Sequence, residues 1–365
     1  MHVCLVCAEF LGWGRAGGFG FATRGIGRGL AARGVEVTAV VPYPPGHDER
    51  EQVIDGVRVL GYSPSSMRDA AALFRRCDAD IYHSQQESIV THAALRAMPD
   101  RRHVITCRDP RDARDWWVEF RHPSRTKLRL LLTLAYYENP LTYRAVRRAD
   151  AVFVPARFLR AKVRRKYRLR TEPEFLPTPI EIPDDINKAE TPMVCFIGRL
   201  DRRKRPELFL DLARQFPDVR FVAVGAAQDA AFDAFLRDEY GDLANLELTG
   251  FIDQFSDPRH REILSRSWVL VNPAAREGLP NVFIEAAAHR CALVSSLDPD
   301  AFVSRFGELA ADEDYAAALR RLLENDTWRD KGQAGHRYVS ETNAPDVAIE
   351  RHLRVYRELL DDHRG

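Results

Sequence analysis

Short β-branched runs alternate with longer stretches whose apolar residues recur every three or four positions, and the alternation runs almost the whole length of the chain. This is the pattern of parallel sheets covered by helices. A first series predicts strands at 2–7, 35–41, 57–62, 80–83, 103–106 and 151–154, with helices such as 22–33 and 158–167 between them. A second series restarts with strands at 193–197, 220–224, 246–249, 268–271 and 291–295 and helices at 206–216, 230–240 and 281–289. Between the two, residues 176–185 carry Pro177, Pro179 and Pro183 and an acidic end, the mark of a linker. The expected organisation is therefore α/β with two doubly wound domains, 1–178 and 190–344. In the tail, Val347, Ile349, Leu353, Tyr356 and Leu360 fall at near-helical spacing, predicting a long amphipathic helix that needs a partner surface.

Composition narrows the function classes. A length of 365 residues suits two domains, and 54 basic against 53 acidic residues leave a net charge of +1, without the bulk positive field of a nucleic-acid binder. The first nine residues have no basic leader and break their apolar run at Glu9, so they read as a strand rather than a signal peptide. No stretch approaches the ~20 apolar residues that span a bilayer. A cytoplasmic chain is expected, at most peripheral at the inner membrane face. Of the six cysteines, Cys4 and Cys7 form a C-x-x-C, but three residues apart on a strand they point to opposite faces, so buried reduced thiols are expected and not a metal or redox pair.

Three segments carry candidate chemistry. In Arg276-Glu277-Gly278-Leu279-Pro280-Asn281, continuing to Glu285-Ala286-Ala287-Ala288, a glycine loop opens a helix whose free amides and positive end suit an anion. A carboxylate at each end can accept bonds from two sets of sugar hydroxyls, the alternative being a capped helix with two solvated glutamates. Gly198-Arg199 through Lys204 follows the first strand of the second series, where a guanidinium fork and an ammonium suit a pyrophosphate. Lysine is rare in this chain, which lifts Lys204 above a solvated basic turn. Gly17-Gly18-Phe19-Gly20 precedes the first helix and permits close backbone approach to a ligand. The overlapping Gly12-x-Gly14-x-x-Gly17 reads literally as a dinucleotide fingerprint, but it starts several residues past the strand, and Val40-Val41-Pro42 offers no acid for a ribose.

The E-x7-E segment starting at Glu277 resembles the nucleotide-sugar motif of retaining glycosyltransferases of family four, and Gly198-Arg199-x4-Lys204 resembles the same family's G-R-x4-K element. The resemblance implies the GT-B fold, two Rossmann-like domains facing across a cleft, with the final helix 345–365 returning to the N-terminal, acceptor-side domain. It implies that Glu277 contacts the donor sugar with the Gly278 and Leu279 amides nearby, and that Glu285 holds the ribose. Arg199 and Lys204 would hold the diphosphate and stabilise the leaving group in place of a metal ion. Gly17 and Gly18 would lie over the donor phosphate and sugar, and the backbone near Phe251 and Ile252 would meet the base. Where many members carry a histidine, this chain has Arg108 and Asp109, which would then touch the donor sugar. The implied reaction is retaining transfer from a nucleoside-diphosphate sugar, UDP by commonness, to an unknown sugar, lipid-linked or small-molecule hydroxyl, with no metal or other cofactor. A GDP-sugar donor, a GT-B epimerase or phosphorylase, a noncatalytic sugar-nucleotide binder and a dinucleotide oxidoreductase are the rivals.

Three weaker features complete the reading. His83 ends a strand and reads as a structural histidine. Asp298-x-Asp300 has the form of a cation-binding pair, a pattern that recurs at Asp78-x-Asp80 and Asp312-x-Asp314 and so carries little. From Arg144 to Arg170 there are eleven Lys and Arg and one acid, preceded by the apolar run 128–137. The run reads as a solvated helix face beside a core helix, ahead of a seat on an anionic membrane.

Overall fold

The computed structural model describes residues 1–14, 17–43, 49–121, 127–227 and 229–361; Arg15 and Ala16 of the literal dinucleotide fingerprint lie outside them. The chain forms two compact units. One comprises Met1–Asp112, Leu131–Pro179 and Asn343–Gly365, the other Ala113–Leu130 and Ile180–Thr342. The second unit thus takes in a stretch from the middle of the expected N-terminal domain.

The sheet of the first unit has eight strands: β1 (His2–Val6), β2 (Glu36–Pro42), β3 (Glu51–Ile54), β4 (Val57–Tyr62), β5 (Ile81–Ser84), β6 (Arg102–Thr106), β7 (Ala151–Val154) and β8 (Glu174–Phe175). Their order is β3-β4-β2-β1-β5-β6-β7-β8. All pairs are parallel except β3 with β4, an antiparallel hairpin turned at Asp55-Gly56, where both residues have positive φ. The pattern of hydrophobic positions predicts neither β3 nor the two-residue β8, and the Asp-Gly dipeptide is the signal that would have found the hairpin.

β1 is buried along Val3–Val6, as a central strand covered on both faces must be. One face packs Ile26 and Leu30 of the Gly18–Ala31 helix and Ile349, Leu353 and Tyr356 of the Pro345–Asp361 helix into a single core, so the amphipathic tail meets its partner surface here. Gly29 lets the two helices approach, since a Cβ there would stand 2.5 Å from the Ile349 side chain. His83 is buried between Tyr356 Oη at 2.6 Å and Thr106 Oγ1 at 2.7 Å, a tie between sheet and tail helix. Burial pushes its pKa well down, so the neutral ring serves as a fixed polar joint.

The second unit has six parallel strands: β9 (Met193–Ile197), β10 (Arg220–Val224), β11 (Leu246–Gly250), β12 (Val269–Asn272), β13 (Ala292–Ser295) and β14 (Gly307–Leu309). Their order is β11-β10-β9-β12-β13-β14. The chain builds outward from β9 in one direction and then restarts with β12 on its other side. That reversal is a topological switch point, where the carboxyl ends of neighbouring strands send their loops apart and leave a crevice. The core beneath it packs Phe209 against Phe196, tilted at a centroid spacing of 5.6 Å, and edge-on against Phe221 at 5.5 Å.

The linker differs from expectation in its first half. Leu176, Thr178 and Ile180 are buried, and only the acidic end with Glu181, Asp184 and Asp185 is exposed. Thr178 is held at both ends, its hydroxyl accepting from Arg108 and its carbonyl from Asn343. Proline excludes this segment from a sheet ladder without sending it to solvent.

Candidate functional site

The loops after β9 and β12 leave the switch point side by side and are laced together. Ala275 N–H donates to the Arg203 carbonyl at 2.9 Å, Arg203 Nη1 donates to the Arg276 carbonyl at 3.3 Å, and Arg205 Nε donates to the Pro273 carbonyl at 2.6 Å. Asp201 shapes the first loop, its Oδ1 accepting from the amides of Arg203 and Lys204. The lacing brings Lys204 Nζ onto Glu277 Oε1, both side chains largely buried. Two residues expected to serve one site from distant places in the chain thus form an ion pair. Arg199 stands at the same strand end, a third of its side chain exposed and its Nη2 3.4 Å from Asp201 Oδ2.

Close approach of the strand ends depends on glycine. Gly198 N–H donates to the Val224 carbonyl and Gly225 N–H to the Gly250 carbonyl. Gly225 has φ +151°, and a Cβ on it would fall 1.8 Å from the Gly198 carbonyl oxygen. Beyond Gly250, Phe251 is exposed while Ile252 is buried against Met193, Val222 and Val224, so the chain is pinned at this end of the sheet.

After Glu277, Gly278 and Leu279 are half-buried, and among the described residues neither amide meets an acceptor. They lead into the Asn281–Ala288 helix, whose one polar interior position is Glu285. Glu285 is buried and its pKa is pushed up to about 8 by desolvation. His260 Nε2 lies 3.8 Å from its Oε2, but burial holds His260 down to about 4, so the two do not form an ion pair near neutral pH. A buried carboxyl without a hydrogen bond among the described residues is expensive unless a ligand supplies donors.

Arg276 is the addition that sequence reasoning missed. Its buried guanidinium lies 2.9 Å from Asp115 Oδ1 and 3.2 Å from Glu119 Oε1, both on the Ala113–Arg121 helix of the same unit. Asp115 and Glu119 are four apart and share one helix face, a signal present in the sequence but uninformative without its target.

In the first unit, Gly17 stands at the start of the Gly18–Ala31 helix and its amide donates to Glu9 Oε2 at 2.7 Å. The backbone group expected to face a phosphate thus holds an internal carboxylate. Arg108 is buried and committed to Thr178 Oγ1 at 2.9 Å and Gln85 Oε1 at 2.6 Å, with burial lowering its pKa to about 10. Asp109 lies 3.4 Å from Arg111. Asp298 Oδ1 accepts from the amides of Val303 and Ser304, in the first turn of the short Phe302–Phe306 helix.

Residues 16–182 match the family described as Glycosyltransferase Family 4, and residues 191–325 match Glycosyl transferases group 1. The chain belongs to the family-four glycosyltransferases. No curated protein matches it in sequence. Among solved structures, sucrose-phosphate synthase from Thermosynechococcus elongatus superposes with a TM-score of 0.76 at 17% identity, covering 99% of this chain and 100% of that one. Anabaena HepE in complex with UDP and glucose gives 0.69 at 14%, covering 96% and 98%, and the catalytic domain of starch synthase IV from Arabidopsis thaliana bound to ADP and acarbose gives 0.64 at 13%, covering 99% of each. The fold is GT-B. Its membership makes this chain a glycosyltransferase, and among its described residues no helix is long and apolar enough to cross a membrane.

Proposed function

We propose that this chain is a retaining glycosyltransferase that moves a sugar from a nucleoside-diphosphate sugar, UDP-linked in the first instance, to an acceptor hydroxyl without a metal ion. The observation that carries the reading is the convergence at the β9/β12 switch point of two cations, Arg199 and Lys204, with the carboxylate Glu277, ahead of the buried, donor-seeking Glu285. Glu285 accepts the ribose hydroxyls. Arg199 and Lys204 take the diphosphate and stabilise the charge that grows on it as the glycosidic bond breaks. Glu277 orients the sugar with the Gly278 and Leu279 amides, and the backbone at Phe251 and Ile252 meets the base. In the first unit, the Gly17 amide, which donates to Glu9 Oε2, and the neighbouring Gly18 amide are the candidate phosphate contacts. Arg108 is engaged with Thr178 and Gln85, which leaves Asp109 as the candidate for a sugar contact. A retaining outcome needs no separate base, because the departing phosphate takes the acceptor proton from the same face. The UDP found with HepE, and the ADP found with starch synthase IV, support a nucleoside-diphosphate leaving group.

The test is a thermal-shift titration with UDP, GDP, ADP, dTDP and NAD, each with and without EDTA, on the wild type and Glu285→Ala. A ligand at a hundred times its Kd raises stability by about 2.7 kcal/mol. A shift with one nucleoside diphosphate that survives EDTA and disappears in the variant supports the reading, and the anomeric configuration of the product, read by NMR, settles retention. A shift with NAD alone, or only with added metal, overturns it.

A further inference from the structure

Glu285 has a proton to lose. To hold a ribose it must be a carboxylate, because both ribose hydroxyls donate to it, yet burial pushes its pKa up to about 8 and leaves the resting group a neutral acid. Two O–H donors favour the ionised form, so the proton leaves as the nucleotide seats. Release to solvent would tie affinity to pH. A nearer destination stands on the neighbouring helix.

His260 lies in the first turn of the Pro258–Arg266 helix and is buried, its Nε2 3.8 Å from Glu285 Oε2. That separation is too long for a hydrogen bond, and it suits one oxygen seated between the two atoms and bonded to both. Among the described residues no hydrogen bond engages the His260 ring. A second ring, His289, sits at the end of the Asn281–Ala288 helix with Nδ1 2.9 Å from the Glu285 carbonyl, and its Nε2 has no partner among the described residues. Both rings are neutral at rest, each held down to about 4 by burial. The surrounding charges separate them. Asp253, in the loop after β11, and Asp257, which caps the His260 helix and pairs with Arg259, favour a cation on His260. Lys188 and Arg261 oppose one on His289.

We propose that His260 is the positioning residue that receives the proton of Glu285 when a nucleoside diphosphate binds, through the ribose hydroxyl that fills the gap between them. The carboxyl O–H bond breaks toward the ribose oxygen while that hydroxyl's own proton passes to His260 Nε2. The products are a carboxylate, an intact hydroxyl and an imidazolium, with no net proton exchanged. The bridging hydroxyl then donates to Glu285 and accepts from His260, and the second ribose hydroxyl donates to the other carboxylate oxygen. On the ribose role proposed for Glu285, on which this inference rests, His260 is what keeps nucleotide affinity level with pH.

The experiment is titration calorimetry of the full chain with UDP, or with whichever of GDP and ADP replaces it in the thermal-shift test, for the wild type and His260→Gln. Each is measured at pH 7 and pH 8.5 in two buffers of different ionisation enthalpy. Ionisation of the nucleotide itself is common to both proteins and cancels in their difference. At pH 7 the variant should release about one proton more than the wild type, and between pH 8.5 and pH 7 its Kd should weaken about tenfold more. A lost packing contact would weaken binding equally at both pH values. Nitrogen NMR of the wild type, which needs no variant, should show the His260 ring pass from neutral to imidazolium on saturation with nucleotide at pH 7. Equal proton counts in the two proteins, or a ring that stays neutral in the complex, overturns the inference and leaves the donor reading standing. If UDP, GDP and ADP all fail to bind the wild type, the donor reading falls and the inference falls with it.

Discussion

Arg276 Nε and Asp115 Oδ1 lie 2.9 Å apart, and Glu119 Oε1 closes on the same guanidinium at 3.2 Å. Arg276 is the residue before Glu277, whose carboxylate meets Lys204. The clamp therefore fixes the backbone from which a candidate catalytic carboxylate projects.

Removing both counter-charges while keeping shape, in Asp115→Asn with Glu119→Gln, leaves a buried cation without anions. The expected cost is about 3 kcal/mol in urea unfolding. The turnover number should fall more than the KM changes, because Glu277 loses its position while the diphosphate cations stay. Arg276→Met in the same background should recover part of the stability, and a double-mutant cycle measures the coupling.

Lys204 and Glu277 neutralise one another, so each is expected to be felt through the other. Lys204→Ala should weaken nucleoside-diphosphate binding and also lower turnover by about a hundredfold or more. Glu277→Gln, which frees Lys204 for phosphate, should leave nucleoside-diphosphate binding intact or tighter while turnover falls. Titration calorimetry beside initial rates distinguishes the two. Equal loss of diphosphate binding in both variants would contradict these roles.

Burial raises the Glu285 carboxyl from 4.5 to about 8. The folded state then holds a proton that the unfolded chain releases, so stability falls as pH rises from about 4.5 to 8 and is flat beyond. At pH 8 and above the penalty is on the order of 4 kcal/mol before local relaxation. Glu285→Gln should therefore melt higher than the wild type at pH 8.5, by several degrees more than at pH 5. The same variant should lose the nucleotide-induced shift, a trade of stability for binding.

Gly225→Ala should be among the most damaging single-methyl changes in the second unit. Its Cβ would meet the Gly198 carbonyl at 1.8 Å from a backbone at φ +151°. Either the fold loses about 3 kcal/mol, or the loop carrying Arg199 moves and nucleotide binding drops. Thermal melting and UDP titration of the variant report both.

Tyr356→Phe tests the joint between the tail helix and the first sheet. It leaves His83 Nδ1 without its 2.6 Å partner inside the core. The expected loss is about 1–3 kcal/mol with nucleotide affinity unchanged, read by urea unfolding and calorimetry.

Particular elements mark how far the residues could be read in order. The strands that pair at the centre of each sheet were legible because burial on both faces demands β-branched runs, as in Glu36–Pro42 and Val269–Asn272. β3, β8 and β14 were not, being short edge strands that need only a neighbour with free backbone groups. The residue types of the candidate donor site were legible too, since Gly198, Lys204, Glu277 and Glu285 lie within local motifs next to strand ends.

What the amino-acid sequence determined by itself is therefore the alternating α/β architecture, the two sheets, and the short motifs, all of them consequences of periodicity and of chemistry at neighbouring positions. The tertiary structure alone decided which distant charges meet: Lys204 with Glu277, Arg276 with Asp115 and Glu119, and Arg108 with Gln85 rather than with open space. It also decided that Leu128, Leu131 and Leu132 face outward. The reason is physical. Hydrophobic spacing specifies which side of a helix is apolar, but whether that side is covered depends on what the rest of the chain brings to it, and an ion pair forms only where folding makes two charges neighbours.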